Sequence, residues 1–242
     1  MAYIVTGGHS PIALAISRDL SLHSRVFHLT RKVDSLLVDE TRESKNIILE
    51  EWDLTNISEC TTKLKSKMKS EIIDGIVFAH RYRGLEQDSL SQFIVEVQAP
   101  HQMVKLYSSH GEKTGGSVVF LTSPAAYCVV PDQDFAYHAS KAAIAQLVKF
   151  AAIKYTAKGH RFNGVSPGAF ISKERSRKYY ESNPDKLSAI NEFLPLKRMG
   201  GVSEVASVVS FLCSEKSSYI NGEIIKVDGG YTNMEPSSLL SS

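Results

Sequence analysis

The chain has 242 residues, of which 43% are hydrophobic and 22% charged, and its formal net charge at pH 7 is +2. These values suit a single large α/β domain and argue against a dedicated nucleic-acid binder. A strand-like start and the lack of any apolar run of membrane-spanning length predict a soluble, cytoplasmic protein without a membrane partner. Cys60, Cys128 and Cys213 have no metal-ligand spacing, so we expect buried or inert thiols and no metal site.

Short apolar or β-branched runs alternate with helical patterns, which predicts a doubly wound parallel sheet of about seven strands with helices on both faces. The predicted strands are 2–6, 25–30, 47–52, 72–79, 116–123, 160–166 and 223–230. A long helix is predicted over 89–109, and Pro100 must kink or break it. We expect one domain over 1–231, with a polar substrate lid inserted at 172–198 and a frayed tail over 232–242.

The turn after the first predicted strand has the composition of a phosphate site. Gly7 and Gly8 break the strand, Ser10 is the expected N-cap, and Pro11 takes the first position of the next helix. Free backbone N–H groups and the helix dipole face outward at such a junction and can hold a phosphate. Ligands of doubly wound sheets bind at the carboxyl ends of the strands, so we expect one site there.

Tyr137 and Lys141 stand four residues apart in a run rich in alanine, leucine and lysine, which predicts a helix with both side chains on one face. A fixed ammonium stabilises a phenolate relative to the phenol, so the phenol could exchange a proton at neutral pH. The chain has ten tyrosines. A tyrosine at a helix start beside a solvated lysine is therefore the simpler interpretation of the pair taken alone.

Several motifs in sequence order make the chain resemble the short-chain dehydrogenase/reductase family over residues 2–231. They are Thr6-Gly7, Ser123 followed by Tyr137-x-x-x-Lys141, Asn163-Gly-Val-Ser-Pro-Gly168, and the ending that runs from Pro195-Leu-Lys-Arg-Met-Gly200 to Val227-Asp-Gly-Gly230. The resemblance implies a Rossmann-like fold. It also implies that Tyr137 exchanges a proton with the substrate oxygen, that Lys141 binds the nicotinamide ribose and favours the phenolate, and that Ser123 hydrogen-bonds the carbonyl.

The resemblance further implies a nicotinamide cofactor. The residues it places around that cofactor are Gly7, His9, Ser10, Pro11, Ile12, Arg31, Asp53, Leu54, Ala79, His80, Tyr137, Lys141, Pro167, Gly168, Phe170 and Ser172. Asp53 would bond the adenine amino group, and Ser172 would contact the nicotinamide carboxamide. NAD-preferring members carry an acidic residue after the second strand, whereas Arg31 suits the 2′-phosphate of NADP(H). We therefore expect NADP(H) rather than NAD(H).

The chain departs from the family pattern at several positions. Pro11 and Ala13 stand where the family has the last two glycines of the first turn, and Phe78-Ala-His-Arg81 stands where it has Asn-Asn-Ala-Gly. His80 and Arg81 therefore bring groups that can carry positive charge to the cofactor. Glu96 stands where an asparagine holds a water that links the lysine to solvent. Glu96 is a fourth catalytic residue that replaces this relay, a sign of altered activity, or an ordinary helix glutamate turned to solvent.

For the substrate, Arg81, Arg83 and Arg175 suggest an anion, such as an acidic or nucleotide-linked sugar or a carrier-bound acyl group. Solvated surface charge is the alternative, and Phe170, Tyr179, Tyr180 and Phe193 could instead provide an apolar lid for a simple steroid or alcohol. The sequence predicts an NADP(H)-dependent oxidoreductase of a small carbonyl or hydroxyl compound. Its rival is a cofactor-binding sensor or scaffold without turnover. The apolar faces of 93–107 and 142–152 predict a homodimer or homotetramer.

Overall fold

The computed structural model describes residues 2–84, 88–110, 115–170 and 174–235, with the side chains of 110 and 174–176 left out of the description. The strands are β1 (Ala2–Thr6), β2 (Arg25–Thr30), β3 (Ile47–Glu51), β4 (Ile73–Phe78), β5 (Ser117–Leu121), β6 (Arg161–Pro167) and β7 (Ile224–Val227). The helices are α1 (Pro11–Ser21), α2 (Ser35–Thr41), α3 (Ile57–Ser70), α4 (Ser89–Phe93), α5 (Ala99–His110), α6 (Phe135–Lys154), α7 (Glu174–Glu181), α8 (Pro184–Phe193) and α9 (Val202–Cys213).

The strands form one parallel sheet in the order β3-β2-β1-β4-β5-β6-β7. The predicted doubly wound α/β fold is therefore confirmed, and each predicted strand is found within about three residues of its predicted ends. The order reverses between β1 and β4, so the carboxyl ends of these two strands flank the crevice where such sheets bind ligands.

Two apolar layers cover the sheet. Successive strand residues point to opposite faces, so Ile4 packs in the layer formed with α3, α5 and α6, and Val5 packs in the layer formed with α1 and α9. In β4, Ile76 likewise packs in the layer with α3, α5 and α6, and Val77 packs in the layer with α1 and α9. Because both faces are covered, the central strands are apolar at nearly every position, and this produced the continuous apolar runs that predicted them.

The β1–α1 turn is built as predicted, with an extended Ser10 as N-cap and Pro11 as the first residue of α1. Gly7 has a φ of 145°, and a Cβ at this position would overlap the Cβ of Ala13 and lie 3.3 Å from the carbonyl oxygen of Ala79. Buried His28 fixes the turn from below, with Nε2 2.8 Å from the carbonyl oxygen of Gly8 and Nδ1 2.7 Å from Ser17 Oγ.

The helix predicted over 89–109 is interrupted just before Pro100. A π-helical turn, Ile94–Gln98, separates α4 from α5, and the N–H of Ala99 bonds the carbonyl of Ile94 five residues earlier. Proline supplies no N–H to the carbonyl four residues before it, which here belongs to Glu96, and its ring crowds that carbonyl. The wider turn accommodates both effects and explains why the break lies at 94–98.

The insertion predicted at 172–198 contains two short helices, α7 and α8, which its weak periodicity did not indicate. Lys186 Nζ donates to Tyr179 Oη at 2.7 Å and links the two. A lid function stays a prediction. Residues 171–173 lie outside the described residues. Of the tail predicted over 232–242, only 232–235 are described, and the short 3₁₀ turn Tyr231–Asn233 spans its start.

Cys60 and Cys213 are buried as expected, and burial raises the pKa of Cys60 to about 11 and that of Cys213 to about 12. Cys128 lies in the loop that follows β5 and is exposed, so for this residue an inert thiol, rather than a buried one, stays the prediction. In the described part of the chain, no helix is both long and apolar enough to cross a membrane.

Candidate active site

A cavity of about 450 Å³ lies at the carboxyl ends of β1, β4, β5 and β6. It brings together a large share of the predicted site residues: Ser10, Pro11, Ile12, Ala79, His80, Arg81, Arg83, Ser123, Tyr137, Lys141, Pro167, Gly168 and Phe170. A second depression, of about 360 Å³, lies between β3 and α3 and is lined by Glu50 and Lys67, which pair with each other. It contains none of the predicted residues.

Tyr137 lies in the first turn of α6, two residues after the helix begins. Asp134 caps this helix and accepts the Tyr137 N–H at 2.7 Å, so the tyrosine is held at a fixed place beside the cavity. Lys141 follows one turn later, and its Nζ lies 5.5 Å from the centre of the Tyr137 ring. The helix therefore presents phenol and ammonium to the same space.

Ser123 lies at the end of β5 and caps the short 3₁₀ turn Pro124–Ala126. Its Oγ accepts the N–H of Ala125 at 3.2 Å. This contact uses a lone pair of the hydroxyl and leaves its proton available for donation into the cavity, which Ser123 also lines.

Glu96 lies in the π-helical turn and is 1% exposed, so the interpretation as a solvent-facing helix glutamate is wrong. Its Oε2 lies 2.9 Å from Lys141 Nζ, and the ammonium also donates to the Leu121 carbonyl at 3.4 Å. Among the described residues, Oε2 accepts no well-aligned hydrogen bond, so the contact with Lys141 is that of an ion pair. Oε1 accepts the Tyr82 N–H at 3.0 Å and a longer bond from Gln92 Nε2 at 3.4 Å.

His80 connects the end of β1 to the π-helical turn. Its Nε2 lies 2.9 Å from the Val95 carbonyl oxygen, which can only accept, so Nε2 carries the proton. Nδ1 then accepts from Thr6 Oγ1 at 2.6 Å, and this hydroxyl in turn accepts the Ala79 N–H at 3.2 Å. Burial lowers the pKa of His80 to about 4. His80 is therefore a polar group that is neutral at pH 7, and Arg81 is the one of the two residues that brings positive charge.

Arg81 covers the ring of Tyr137. Its guanidinium carbon lies 4.1 Å from the ring centre, in a cation–π arrangement, and its Nη2 donates to Gln133 Oε1 at 2.6 Å. Arg83 is exposed and also lines the cavity. Ser172 lies outside the described residues, and so does the side chain of Arg175.

The remaining predicted cofactor residues lie beyond the cavity. Gly7 is in the first turn, and Leu54 is packed in the core. Arg31 is exposed just after β2, and Asp53 is exposed, with Oδ1 accepting the Thr55 N–H at 3.0 Å and the Thr55 hydroxyl at 2.8 Å. His9 Nε2 lies 3.0 Å from Asp34 Oδ2.

The residues at the first turn fit a dinucleotide. The backbone of Gly7 leaves no room for a Cβ between Ala13 and Ala79, which keeps strand and helix close. The Ser10 hydroxyl makes no capping hydrogen bond within the described chain and lines the cavity at the helix N-terminus. A free hydroxyl and helix N–H groups at this place suit a phosphate, although Pro11 removes one donor.

Several cavity residues were not predicted from the sequence: Leu121, Thr122, Pro124, Val130, Gln133, Ala169 and Tyr231. Val130 and Gln133 belong to an irregular loop that gives no periodic signal. Tyr231 follows directly on the Gly229-Gly230 pair of the family-like ending, so the motif itself could have indicated it. Burial raises the pKa of Tyr231 to about 12.

This fold and cavity define an α/β protein with a dinucleotide-type crevice and a Ser/Tyr/Lys set. The sequence profile of the family described as enoyl-(acyl carrier protein) reductase matches residues 77–232. Human dehydrogenase/reductase SDR family member 4 is 38% identical over 138 residues, which are 56% of this chain and 48% of that protein. The chain thus matches about half the length of such curated relatives. It belongs to the short-chain dehydrogenase/reductase family of oxidoreductases.

Solved structures agree with this assignment. A short-chain dehydrogenase family protein from Francisella tularensis is 27% identical and superposes with a TM-score of 0.77 over 96% of this chain and 99% of that one. The structure of ElxO with NADP bound has a TM-score of 0.85 at 21% identity, over 96% and 99% of the two chains. At that identity, the likeness to ElxO concerns the fold.

The neutral state of His80 predicts a specific loss of stability in acid. Its pKa is about 4 in the folded protein against 6.5 for an unperturbed histidine, so the unfolded chain takes up the proton first as the pH falls. The contribution of the neutral imidazole is complete above pH 6.5 and is lost between 6.5 and about 4. Through this group, the free energy of unfolding should fall by about 2–3 kcal/mol between about pH 7.5 and about pH 4.5.

Urea unfolding of wild type and His80→Gln at both pH values measures this loss. The variant should lose less stability than wild type by about that amount. Exposed His23→Gln is the control and should keep the wild-type dependence. Equal pH dependence in wild type and His80→Gln would contradict the assignment.

Proposed function

We propose that this protein is an NADP(H)-dependent oxidoreductase that interconverts a carbonyl and a hydroxyl, with Tyr137 as general acid and base. The observation that supports it best is the joint placement of Ser123, Tyr137 and Lys141 around one cavity at the strand ends. A nicotinamide dinucleotide, when bound, supplies or accepts the hydride. Reduction is the direction that we favour, because NADPH usually serves as a reductant.

The chain's own residues have the following roles in this proposal. Tyr137 gives its phenolic proton to the substrate oxygen in reduction and takes it back in oxidation. Ser123 donates its hydroxyl proton to the same oxygen, where negative charge develops in the transition state. Lys141, 3% exposed and held by Glu96 and the Leu121 carbonyl, has its ammonium at a fixed place near the phenol and the expected ribose position.

The preference for NADP(H) is supported at the end of β2. Arg31 and Lys32 are exposed there, whereas Asp34, the first acidic residue to follow, has both carboxylate oxygens in use. One accepts the Leu37 N–H at 3.0 Å, and the other lies 3.0 Å from His9. Two cations without a free carboxylate suit a 2′-phosphate better than a ribose hydroxyl. The NADP bound by ElxO agrees with this choice.

The substrate that we propose is anionic. Arg81 and Arg83 both line the cavity, and Gln133 holds the Arg81 guanidinium against the ring of Tyr137. A carboxylate or phosphate of the substrate could pair with these cations while its carbonyl lies near the phenol. Arg175 would add a third cation. Acidic or nucleotide-linked sugars and carrier-bound acyl groups remain the candidate classes.

The second candidate is a sensor or scaffold that binds the dinucleotide without turnover. Pro11, Glu96 and the segment Phe78–Arg81 favour it as departures from the family pattern. For the oligomeric state, we propose a homodimer or homotetramer through α5 and α6, where Phe150 and Ile153 are exposed, and light scattering checks it.

Replacing Tyr137 with phenylalanine distinguishes the enzyme from the sensor. Removal of the phenolic proton should lower kcat by at least about 100-fold, while NADPH affinity changes little. Steady-state assays on a panel of carbonyl compounds that includes acidic sugars, together with NADPH fluorescence titration, measure both quantities. Tyr219→Phe, at a fully exposed tyrosine, is the matched control and should retain full activity. Undiminished turnover in Tyr137→Phe would exclude the proposed role.

Replacing Arg31 with alanine tests the cofactor preference. The loss of a charge-assisted contact should raise the Kd for NADPH at least about tenfold and leave the Kd for NADH nearly unchanged. Arg42→Ala, at an arginine after α2 that is also exposed, is the control and should change neither value. An equal change in both Kd values for Arg31→Ala would refute a 2′-phosphate contact.

The double replacement Arg81→Gln and Arg83→Gln tests the anionic substrate. The KM of an anionic substrate should rise by about tenfold or more, because two cations are lost, while the KM of a matched uncharged carbonyl compound should stay within about twofold. Steady-state kinetics on such a pair of compounds provides the measurement. An unchanged KM for every accepted substrate would refute the cationic site.

A further inference from the structure

The lysine of the proposed catalytic set has a buried counterion. The carboxylate of Glu96 has no exposed surface, the Lys141 side chain is 4% exposed, and their charged atoms are 2.9 Å apart. Because the two opposite charges are in contact and shielded from water, the pair acts on its surroundings nearly as a neutral dipole. Lys141 therefore presents less positive charge to Tyr137 than an unpaired ammonium would.

The fold holds Glu96 in this position from three sides. Pro100 forces the wider turn from which Glu96 points toward α6. The Tyr82 N–H and the Gln92 amide fix the other carboxylate oxygen. Within the described ranges, the titratable groups that face the pair are neutral His80, from the loop after β4, and Tyr137 on α6. Tyr137 itself also faces Arg81 and the ring of His138.

We propose that Glu96 is a positioning residue that offsets the charge of Lys141 and so weakens the attraction between this lysine and a phenolate at Tyr137. A weaker attraction for the phenolate favours the neutral phenol, the form from which carbonyl reduction starts, over the phenolate, the form from which alcohol oxidation starts. This inference deepens the proposed function and rests on the role given there to Tyr137. It makes Glu96 a charge-bearing partner of the lysine and leaves the water relay as a separate prediction.

The proposal is tested by titrating the phenol directly, without substrate or dinucleotide. The near-ultraviolet absorbance of tyrosinate is followed against pH in wild type and in Tyr137→Phe, and the difference between the two curves reports Tyr137. The same difference is measured in the Glu96→Gln background. Without the carboxylate, Lys141 attracts the phenolate more strongly, so the midpoint should move to lower pH by about one unit.

Two controls separate charge from packing. Glu96→Asp keeps the carboxylate and should stay closer to the wild-type midpoint than Glu96→Gln does. Glu59→Gln removes a carboxylate from an exposed pair with Lys63, at 2.6 Å, and should have no effect. Equal midpoints in folded wild type and Glu96→Gln would overturn the proposal.

A further variant covers the case in which Glu96→Gln does not fold, since an unpaired buried charge is strongly destabilising. The combination of Glu96→Gln with Lys141→Met is uncharged at both positions, so it leaves no buried charge unpaired. If Glu96 offsets the charge of Lys141, removing both charges should leave the Tyr137 midpoint within about half a unit of wild type. A midpoint more than about one unit above that of wild type would mean that Lys141 acts on Tyr137 without an offset from Glu96, and this result would overturn the proposal.

These titrations stay informative if the proposed function fails. A protein without turnover whose Tyr137 still responds to Glu96 would refute the enzyme and keep the electrostatic coupling. An active enzyme whose Tyr137 midpoint ignores Glu96 would refute the coupling alone. In an active enzyme, the alkaline limb of kcat/KM for reduction should shift in Glu96→Gln in the same direction as the absorbance midpoint.

Discussion

The buried contact between Lys141 and Glu96 is the interaction on which the site depends. An ammonium and a carboxylate removed from water are tolerated only when each has the other and further hydrogen bonds. Here the lysine comes from α6, the glutamate from the π-helical turn before α5, and the additional acceptor from the Leu121 carbonyl at the end of β5. The pair therefore ties two helices to the central sheet directly beneath the cavity. A displacement of any one of these elements would leave a buried charge uncompensated, so the pair fixes where Tyr137 can stand.

A second, uncharged connection runs from β1 to the same turn. Thr6, at the carboxyl end of β1, donates to His80, and His80 donates to the carbonyl of Val95. The family pattern has a small residue at this position, and a histidine there can be accommodated only in its neutral form with both ring nitrogens bonded. The low pKa of His80 and the tautomer required by Val95 are two consequences of the same burial. One wall of the cavity is thus built from a polar network whose members are each satisfied, which makes that wall rigid.

Much of the architecture could be predicted from the sequence because its physical causes are local. Buried parallel strands are continuous apolar runs, and a serine before a proline marks a helix start whatever surrounds it. The face shared by Tyr137 and Lys141 follows from helical spacing alone. The burial of Glu96 could not be predicted, because it results from a proline four residues away and a lysine 45 positions later that meets it only in the folded chain. The contact between Gln133 and Arg81 could not be predicted either, because an irregular loop has no periodicity from which the direction of its side chains could be inferred.

The departures from the family pattern bear on the choice between enzyme and scaffold. Replacing a buried ion pair by apolar residues of similar size is often neutral or stabilising, so stability alone gives a non-catalytic protein no reason to keep Lys141 and Glu96 together. A proton-transfer site does have a reason, since it needs a positive charge near the phenol whose strength is adjusted to the working pH. Pro11 and His80 are compatible with an enzyme and with a scaffold. Pro11 keeps the helix N-terminus, and His80 is neutral and structural. As a departure from the family pattern Glu96 suggests a scaffold, but its buried pairing with Lys141 in the folded chain favours the enzyme.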